Sequence, residues 1–416
     1  MLLVETHIIN NSHKLFQECD HLCFLSKNLY NASLYNIKLQ YEKDQNFLGY
    51  HELSKRFSDE NNPDYRALPA KVSQQVMMLL ERNYKSYFKS LKSYQKSPSK
   101  FKGAPRPPMF KHKTQGRNIV CYTSQALSRI EFKKHHLIKL SGTDIKFYSK
   151  IDNFDSIQQV RIIPLKNQSL KIEVIYNKQE AVKITDNGLT CGIDVGLNNL
   201  FAVAFSDQSQ QSLLVSGRPL KSINQYYNKR RSDMQSKLGN YIDKSGDKKQ
   251  KKSSKKLNKL TTKRNNKVSD YVHKSTKLLV EKLKQSNVSK VVIGKNDGWK
   301  DEINIGRKNN QNFVSLPHAR AIDVLKYKLE LIGIEVILRE ESYTSKCSLI
   351  DMEPIKKHEK YQGKRIKRGL YQSKDKVLIN ADINGAGNIL RKEIPNAFAN
   401  GIEGLVVSPR MLNVSF

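Results

Sequence analysis

Cys191-Gly192-Ile193-Asp194-Val195-Gly196-Leu197 sets one carboxylate at the end of an otherwise apolar run. With a second apolar run at 200–205 across the turn Gly196-Leu197-Asn198-Asn199, it reads as a β-hairpin. A lone charge in an apolar strand is costly to bury, so Asp194 needs a compensating group. A divalent cation supplies one and gives the carboxylate a task, because paired metals activate water and stabilise the leaving oxygen in phosphodiester cleavage. Taken alone, Asp194 is equally well read as a structural cap of the hairpin turn.

Working downstream, the pattern predicts a helix over 268–285, a buried strand over 288–293, a helix over 318–332, a strand over 335–338 and a last helix over 386–392 after an Asn384-Gly385 turn. That order suits a mixed sheet presenting acidic residues at strand ends. Asp382 is the second anchor, in Asn380-Ala381-Asp382-Ile383-Asn384-Gly385-Ala386-Gly387, where small residues let a helix start pack closely. By itself it also reads as a helix N-cap. The tract 230–267 is densely basic, and is read as a flexible loop, a partly ordered helix on a phosphate backbone or a solvated charged face. Arg230 and Arg231 are its candidate nucleic-acid contacts.

Upstream, 2–9 reads as a strand, and 15–41 and 68–94 as helices, the second with Pro69 in its first turn. The stretch 97–113 holds four prolines among five Lys and Arg, so it is extended and basic. It is read as a nucleic-acid-facing boundary through Lys102, Arg106, Lys111 and Lys113, or as a solvated linker. From 118 to 177 short alternating runs at 137–140, 158–163 and 170–175 predict a small β-barrel that takes in the first strand. Cys19, His21 and Cys23 are metal-ligating residue types, but Cys19 and Cys23 share a helix face with Phe16 and are read as a buried surface.

At 416 residues the chain exceeds what one core usually supports, so an α/β multidomain protein is expected. Lys plus Arg number 73 against 39 Asp plus Glu, a formal charge of +34 that calls for a polyanionic partner. No run approaches the roughly 20 apolar residues needed to span a bilayer, and the first ten residues lack a signal-peptide pattern. Five cysteines, an odd number, suit a reducing compartment. A cytoplasmic protein with no membrane association is expected.

The segments Gly192-Ile193-Asp194-Val195-Gly196 and Asp382-Ile383-Asn384-Gly385-Ala386, with Tyr343-Thr344-Ser345-Lys346 between them, resemble the RuvC motifs of the TnpB family. This transposon-encoded family is related to type V CRISPR effectors, and the resemblance covers nearly the whole chain. It implies a RuvC-like, RNase H-type nuclease domain over 185–344 and 378–416, and a wedge-like β-barrel over 1–10 and 96–184. A helical recognition insertion over 11–95 and a basic insertion over 345–377 complete the implied layout. It also implies a magnesium-dependent endodeoxyribonuclease, prokaryotic and nucleoid-associated when bound. Such an enzyme carries a guide RNA from the transposon end and checks a short DNA motif beside its target.

The sequence departs from the family pattern twice. The second RuvC motif usually puts Glu after an apolar strand, but Val291-Val292-Ile293 runs into Gly294-Lys295-Asn296. Some relatives carry this Gly and place the glutamate just before the Thr-Ser pair, where this chain has Glu340 and Glu341. Asp194, Glu341 and Asp382 are therefore expected to be catalytic and to hold Mg2+ in a two-ion site. Glu340 is the reserve, since strand alternation sends the two glutamates to opposite faces.

Relatives also follow Thr-Ser with two Cys-x-x-Cys pairs, whereas only Cys347 remains here, so no structural zinc is expected. Lys364, Arg365, Lys367 and Arg368 of that segment are read as lining a strand-loading loop. Trp299 is read as packing or as a base-stacking ring, and 309–313 as a strand contact or helix cap. The rival readings are a nuclease-inactive RNA-guided DNA-binding regulator, a basic RNA- or DNA-binding transposon accessory protein, and a DDE-type transposase.

Overall fold

A computed structural model describes residues 1–242, 246, 248–250, 253–296 and 317–415. Trp299 and the segment 309–313 lie outside the described residues. The chain divides into two compact units, Met1–Lys178 and Gln179–Phe416.

In the first unit, strands β1 (Leu2–Ile9), β2 (Val120–Thr123), β3 (Ile157–Pro164) and β4 (Leu170–Asn177) form an antiparallel sheet in the order β1-β4-β3-β2. Helices α1 (Phe16–Asp44), α2 (Tyr50–Asp59) and α3 (Ala70–Lys96) share one core with it. Val72, Val76 and Leu80 recur along α3 at the spacing that lines one helix face, and they are buried with Leu29 and Leu34 of α1 and Tyr122, Ile162 and Ile172 of the sheet. Among the described residues no ladder joins β1 to β2, so the sheet is open where a barrel was expected. The apolar faces of α1 and α3 cover it instead of further strands. Cys19 and Cys23 are fully buried on α1, and burial pushes the Cys19 thiol up to about 12.

The proline-rich segment has a single turn of 3₁₀ helix at Pro98–Lys100, after which extended backbone is pinned along α1. The Asn31 side chain donates to the Lys111 carbonyl and accepts from its N–H, both at 2.9 Å, so it reads the backbone like a neighbouring strand. The Tyr30 hydroxyl donates to the Met109 carbonyl at 3.2 Å, and the Lys111 ammonium stands 5.0 Å from the Tyr30 ring centroid. Lys102, Arg106 and Lys113 are exposed, while Lys111 is partly buried.

The second unit is built on a six-stranded mixed sheet. Strands β5 (Thr190–Asp194), β6 (Asn199–Phe205) and β7 (Leu213–Ser216) make an antiparallel meander. On the free side of β5, β8 (Lys290–Gly294) and β9 (Glu335–Arg339) add in parallel, giving the order β9-β8-β5-β6-β7. A short C-terminal strand, Arg410–Leu412, extends the β7 edge in parallel. One face of the sheet packs on α5 (Lys255–Gln285) and α6 (His318–Glu330), through Cys191, Ile193, Val291 and Ile293. The other packs on α7 (Ala381–Glu393) through Ala202, Ala204 and Val292.

Helix α7 begins five residues before the expected start at 386, because the Asn380 side chain caps it by accepting from the Asp382 and Ile383 N–H groups. Asn384-Gly385 is therefore inside the helix rather than a turn. Helix α4 (Arg218–Ser236) and α5 occupy most of the basic tract, and Asn240–Ile242 pairs with Lys248–Gln250 between them. Helix α5 starts at Lys255, thirteen residues before the expected 268, with Ser254 as its N-cap.

Candidate active site

Strand alternation decides which way Asp194 points. Cys191 and Ile193 lie in the core beneath α5 and α6, so Gly192 and Asp194 face α7. A Cβ on Gly192 would stand 2.9 Å from the Leu390 Cβ, so the glycine lets α7 approach the strand. A Cβ on Gly385 would stand 3.1 Å from Asp194 Oδ2, which places the Asp194 carboxylate directly against the first turns of α7.

Asp382 sits in that first turn. Asn199, at the start of β6, donates through Nδ2 to Asp382 Oδ2 at 2.7 Å. Arg365 approaches Oδ1 at 3.4 Å from the strand Lys364–Lys367. Burial, then the nearby Asp382 charge, raises the Asp194 carboxyl to about 7, against smaller opposing effects of Arg365 and the Val195 N–H.

Strands β5, β8 and β9 are parallel, so their C-terminal ends share one edge, the position where open α/β sheets commonly bind ligands. The pairs Val292↔Gly192 and Ile293↔Ile193 bring Gly294 level with Asp194, facing α7 as Val292 does. No carboxylate grows from β8 there. The Glu341 side chain, two residues past the end of β9, fills the space: a Cβ built on Gly294 would stand 2.7 Å from Glu341 Cγ and 2.6 Å from Ile389 Cδ1. Glu341 is pushed up to about 8, by burial first, then by the charges of Asp194 and Glu340, with Lys392 opposing.

Two side chains to which the sequence reading gave no role hold the Glu340-Glu341 pair. Asn296 donates through Nδ2 to Glu341 Oε2 at 3.1 Å and accepts from the Glu341 N–H at 3.0 Å. Lys392 on α7 takes the neighbouring Glu340, reaching its Oε2 at 2.7 Å and its carbonyl at 3.0 Å. Glu340 also accepts from the Ser342 N–H and hydroxyl, and these donors lower it to about 2. The following Tyr343-Thr344 turn closes on Glu341, whose carbonyl accepts from the Thr344 N–H and hydroxyl. The two glutamates are thus separated: Glu341 points toward Asp194 and Glu340 outward.

Two desolvated carboxyls, each raised further by a neighbouring carboxylate, call for a cation, and an all-oxygen set suits Mg2+ better than a soft metal. Among the described residues, no three His, Cys, Asp or Glu side chains stand close enough to enclose an ion as placed. Asp382 bonds Asn199 and Arg365, and the Asp194 charge acts on Glu341. The donor chemistry of Asp194, Glu341 and Asp382 fits.

Cys347 is buried and directs its thiol at the carbonyls of Pro354 and Lys356. Glu353, also buried, accepts from the backbone N–H groups of Ser348 at 2.7 Å and Gln362 at 3.0 Å, tying the loop that follows Thr344-Ser345. Asn384 and Asn388, one turn apart on α7, hold the same loop by its backbone, Asn384 at Leu349 and Cys347, Asn388 at Thr344 and Cys347. Lys364, Arg365, Lys367 and Arg368 are exposed on a hairpin that pairs through Leu370–Gln372 with Leu378–Asn380, the strand leading into α7. Arg230 and Arg231 are exposed on α4.

Two family models match this unit and its approach: OrfB_IS605, described as a probable transposase, over residues 172–300, and the Cas12f1-like TNB domain over 318–389. The chain is TnpB-like. Among solved structures, the TnpB-like chain is similar to a Cas12f1 determined by cryo-EM with sgRNA and target DNA. That match has a TM-score of 0.51 and 16% identity, covering 90% of this chain and 82% of that one. A CRISPR-Cas12f ternary complex matches with a TM-score of 0.36 and 16% identity over 90% and 81%. None of the curated proteins matches. The first likeness establishes a Cas12f-type mixed α/β fold for the TnpB-like chain. Among the described residues, no helix is long and apolar enough to cross a membrane.

Proposed function

We propose that this TnpB-like protein is an RNA-guided DNA endonuclease of a transposon, with Asp194, Glu341 and Asp382 as its catalytic carboxylates. The observation that carries the reading is Glu341 filling the space beside Gly294 and opposing Asp194, which returns an acidic side chain to the edge where β8 lacks one. The three carboxylates would hold Mg2+, which when bound activates water and stabilises the leaving oxygen of a phosphodiester. The chain's own residues supply the negative charge and the aim. Asn199 fixes Asp382, Asn296 orients Glu341, and Gly385 leaves room for Asp194 against α7.

Sequence choice is delegated to base pairing with a guide RNA, while the basic protein reads backbone shape and a short flanking motif. The +34 charge and the exposed Lys102, Arg106, Lys113, Arg230, Arg231, Lys364 and Arg368 supply phosphate contacts, in a cytoplasmic setting. The Cas12f1 it resembles was solved with sgRNA and target DNA, which supports the same pair of partners here. The layout is read as a wedge and helical recognition part before residue 179 and a RuvC-like part after it.

Sequencing the RNA that copurifies tests the guide: one defined species is expected, and random cellular RNA would contradict it. A second reading, a DNA-binding regulator that does not cut, is favoured by one observation. Both Asp382 oxygens already have partners, Asn199 and Arg365. Cleavage of a matched plasmid separates the two.

A further inference from the structure

A glutamate carried on a loop has freedom that one on a strand does not. Glu341 lies beyond the end of β9, after Arg339 pairs with Gly294, so the ladder no longer fixes its backbone. Something else must set its direction to within the tolerance that metal chemistry demands, about 0.5 Å for a productive site.

We propose that Asn296 and Lys392 are positioning residues, a two-point clamp that aims Glu341 at Asp194 and takes over the orienting role a β8-borne carboxylate would get from its own strand. The inference rests on the nuclease reading and deepens it. Asn296 grips Glu341 at both ends of the residue, main-chain N–H and carboxylate, which fixes the backbone and the side-chain torsions together. It follows Gly294 by two positions, so the segment that carries no carboxylate supplies the group that orients Glu341.

Lys392 works from the other side. Its ammonium reaches the carbonyl and carboxylate of Glu340 and the carbonyl and hydroxyl of Ser342, at 2.7 to 3.2 Å. Those four acceptors bracket Glu341 without bonding it, so the lysine holds the flanks of the turn and keeps Glu340 away from the site. Because Lys392 and Asp382 share α7, the clamp also fixes Glu341 relative to the helix bearing the third carboxylate. Outer-shell partners of metal ligands typically alter metal affinity or activity by roughly 10–100-fold when removed.

The test uses the full chain with its copurifying RNA, and Mn2+ as the probe, followed by electron paramagnetic resonance. N296A and K392M are expected to weaken Mn2+ binding by about 10–100-fold, with the melting temperature and binding of a matched DNA duplex held at wild-type values. K392R is expected to recover part of the loss, since it keeps donors and charge at the turn.

Mn2+ binding within twofold of wild type in both N296A and K392M overturns the clamp. So does a loss of metal binding that merely follows a loss of melting temperature, which is the signature of a structural role. A wild-type protein that binds Mn2+ but leaves matched DNA uncut sinks the nuclease reading alone, and the clamp then stands or falls on the binding data. A wild-type protein that binds no Mn2+ overturns both.

Discussion

Gly294→Ala adds one methyl group where Glu341 and Ile389 pack against β8. The new carbon would lie 2.7 Å from Glu341 Cγ and 2.6 Å from Ile389 Cδ1, while unstrained carbon contacts sit at about 3.5–4.0 Å. Relief therefore requires a displacement of roughly 1 Å, a misplacement that can reduce catalysis about 100-fold. Ile389 yields at the end of its side chain, but Glu341 must move its carboxylate away from Asp194. Overpacking of this kind typically destabilises by about 1–3 kcal/mol. In a unit of this size each kcal/mol lowers the melting temperature by about 2–4 °C. The assay is single-turnover cleavage of a matched plasmid in Mg2+, beside a gel-shift measurement of target binding and a thermal melt. Cleavage down by about two orders of magnitude with binding retained is expected. A G294A protein that cuts at the wild-type rate would refute the placement of Glu341.

Three further outcomes are expected. In metal-free protein, Asp194 and Glu341 titrate near 7 and 8, above their unfolded values, so the native state holds protons that the unfolded chain has released. Thermal stability should therefore fall as pH rises from about 4 to about 8, Mg2+ should restore more at pH 8 than at pH 5, and E341Q should flatten the profile. Glu353→Ala leaves two backbone N–H groups without their buried acceptor, and each such loss is worth about 1–3 kcal/mol, so the melting temperature should drop. Metal analysis finding one zinc per chain would contradict the tie assigned to Glu353. Replacing Arg230 and Arg231 with Ala should reduce the slope of log affinity against log salt by roughly 0.7–0.9 per lost phosphate contact, and an unchanged slope would remove both from the interface.

The long apolar periodicities were legible. Strand β1, helices α1 and α3 and strands β5, β6, β8 and β9 all fall within a few residues of where hydrophobic spacing puts them, because burial on one face writes itself into sequence. The start of α7 was not, because Asn384-Gly385 has turn chemistry and the reason for helix there is tertiary. Glycine and alanine let the helix touch β5, and both asparagines bond to the 344–349 loop rather than to their own backbone. Helix α4 was missed for a different reason: it is so basic that only Leu220 and Asn224 are buried, and its apolar stripe is faint.

At the site, Asp194 and Asp382 were visible as carboxylates in apolar or small-residue settings. The choice between Glu340 and Glu341 was not forced by the sequence. Lys392 and Asn296 lie 52 and 45 positions from the residues they bond, and no local pattern marks either.

Metal-dependent cutting by Asp194 and Glu341 is tested by cleavage of a plasmid carrying the copurifying guide's target beside a randomised flank, with wild type, D194A and E341Q compared in Mg2+ and in EDTA. Linear or nicked product from wild type in Mg2+ alone, lost in both variants while target binding persists, is the predicted result. Wild-type protein that binds the target and leaves it intact, or E341Q that cuts as well as wild type, would contradict it.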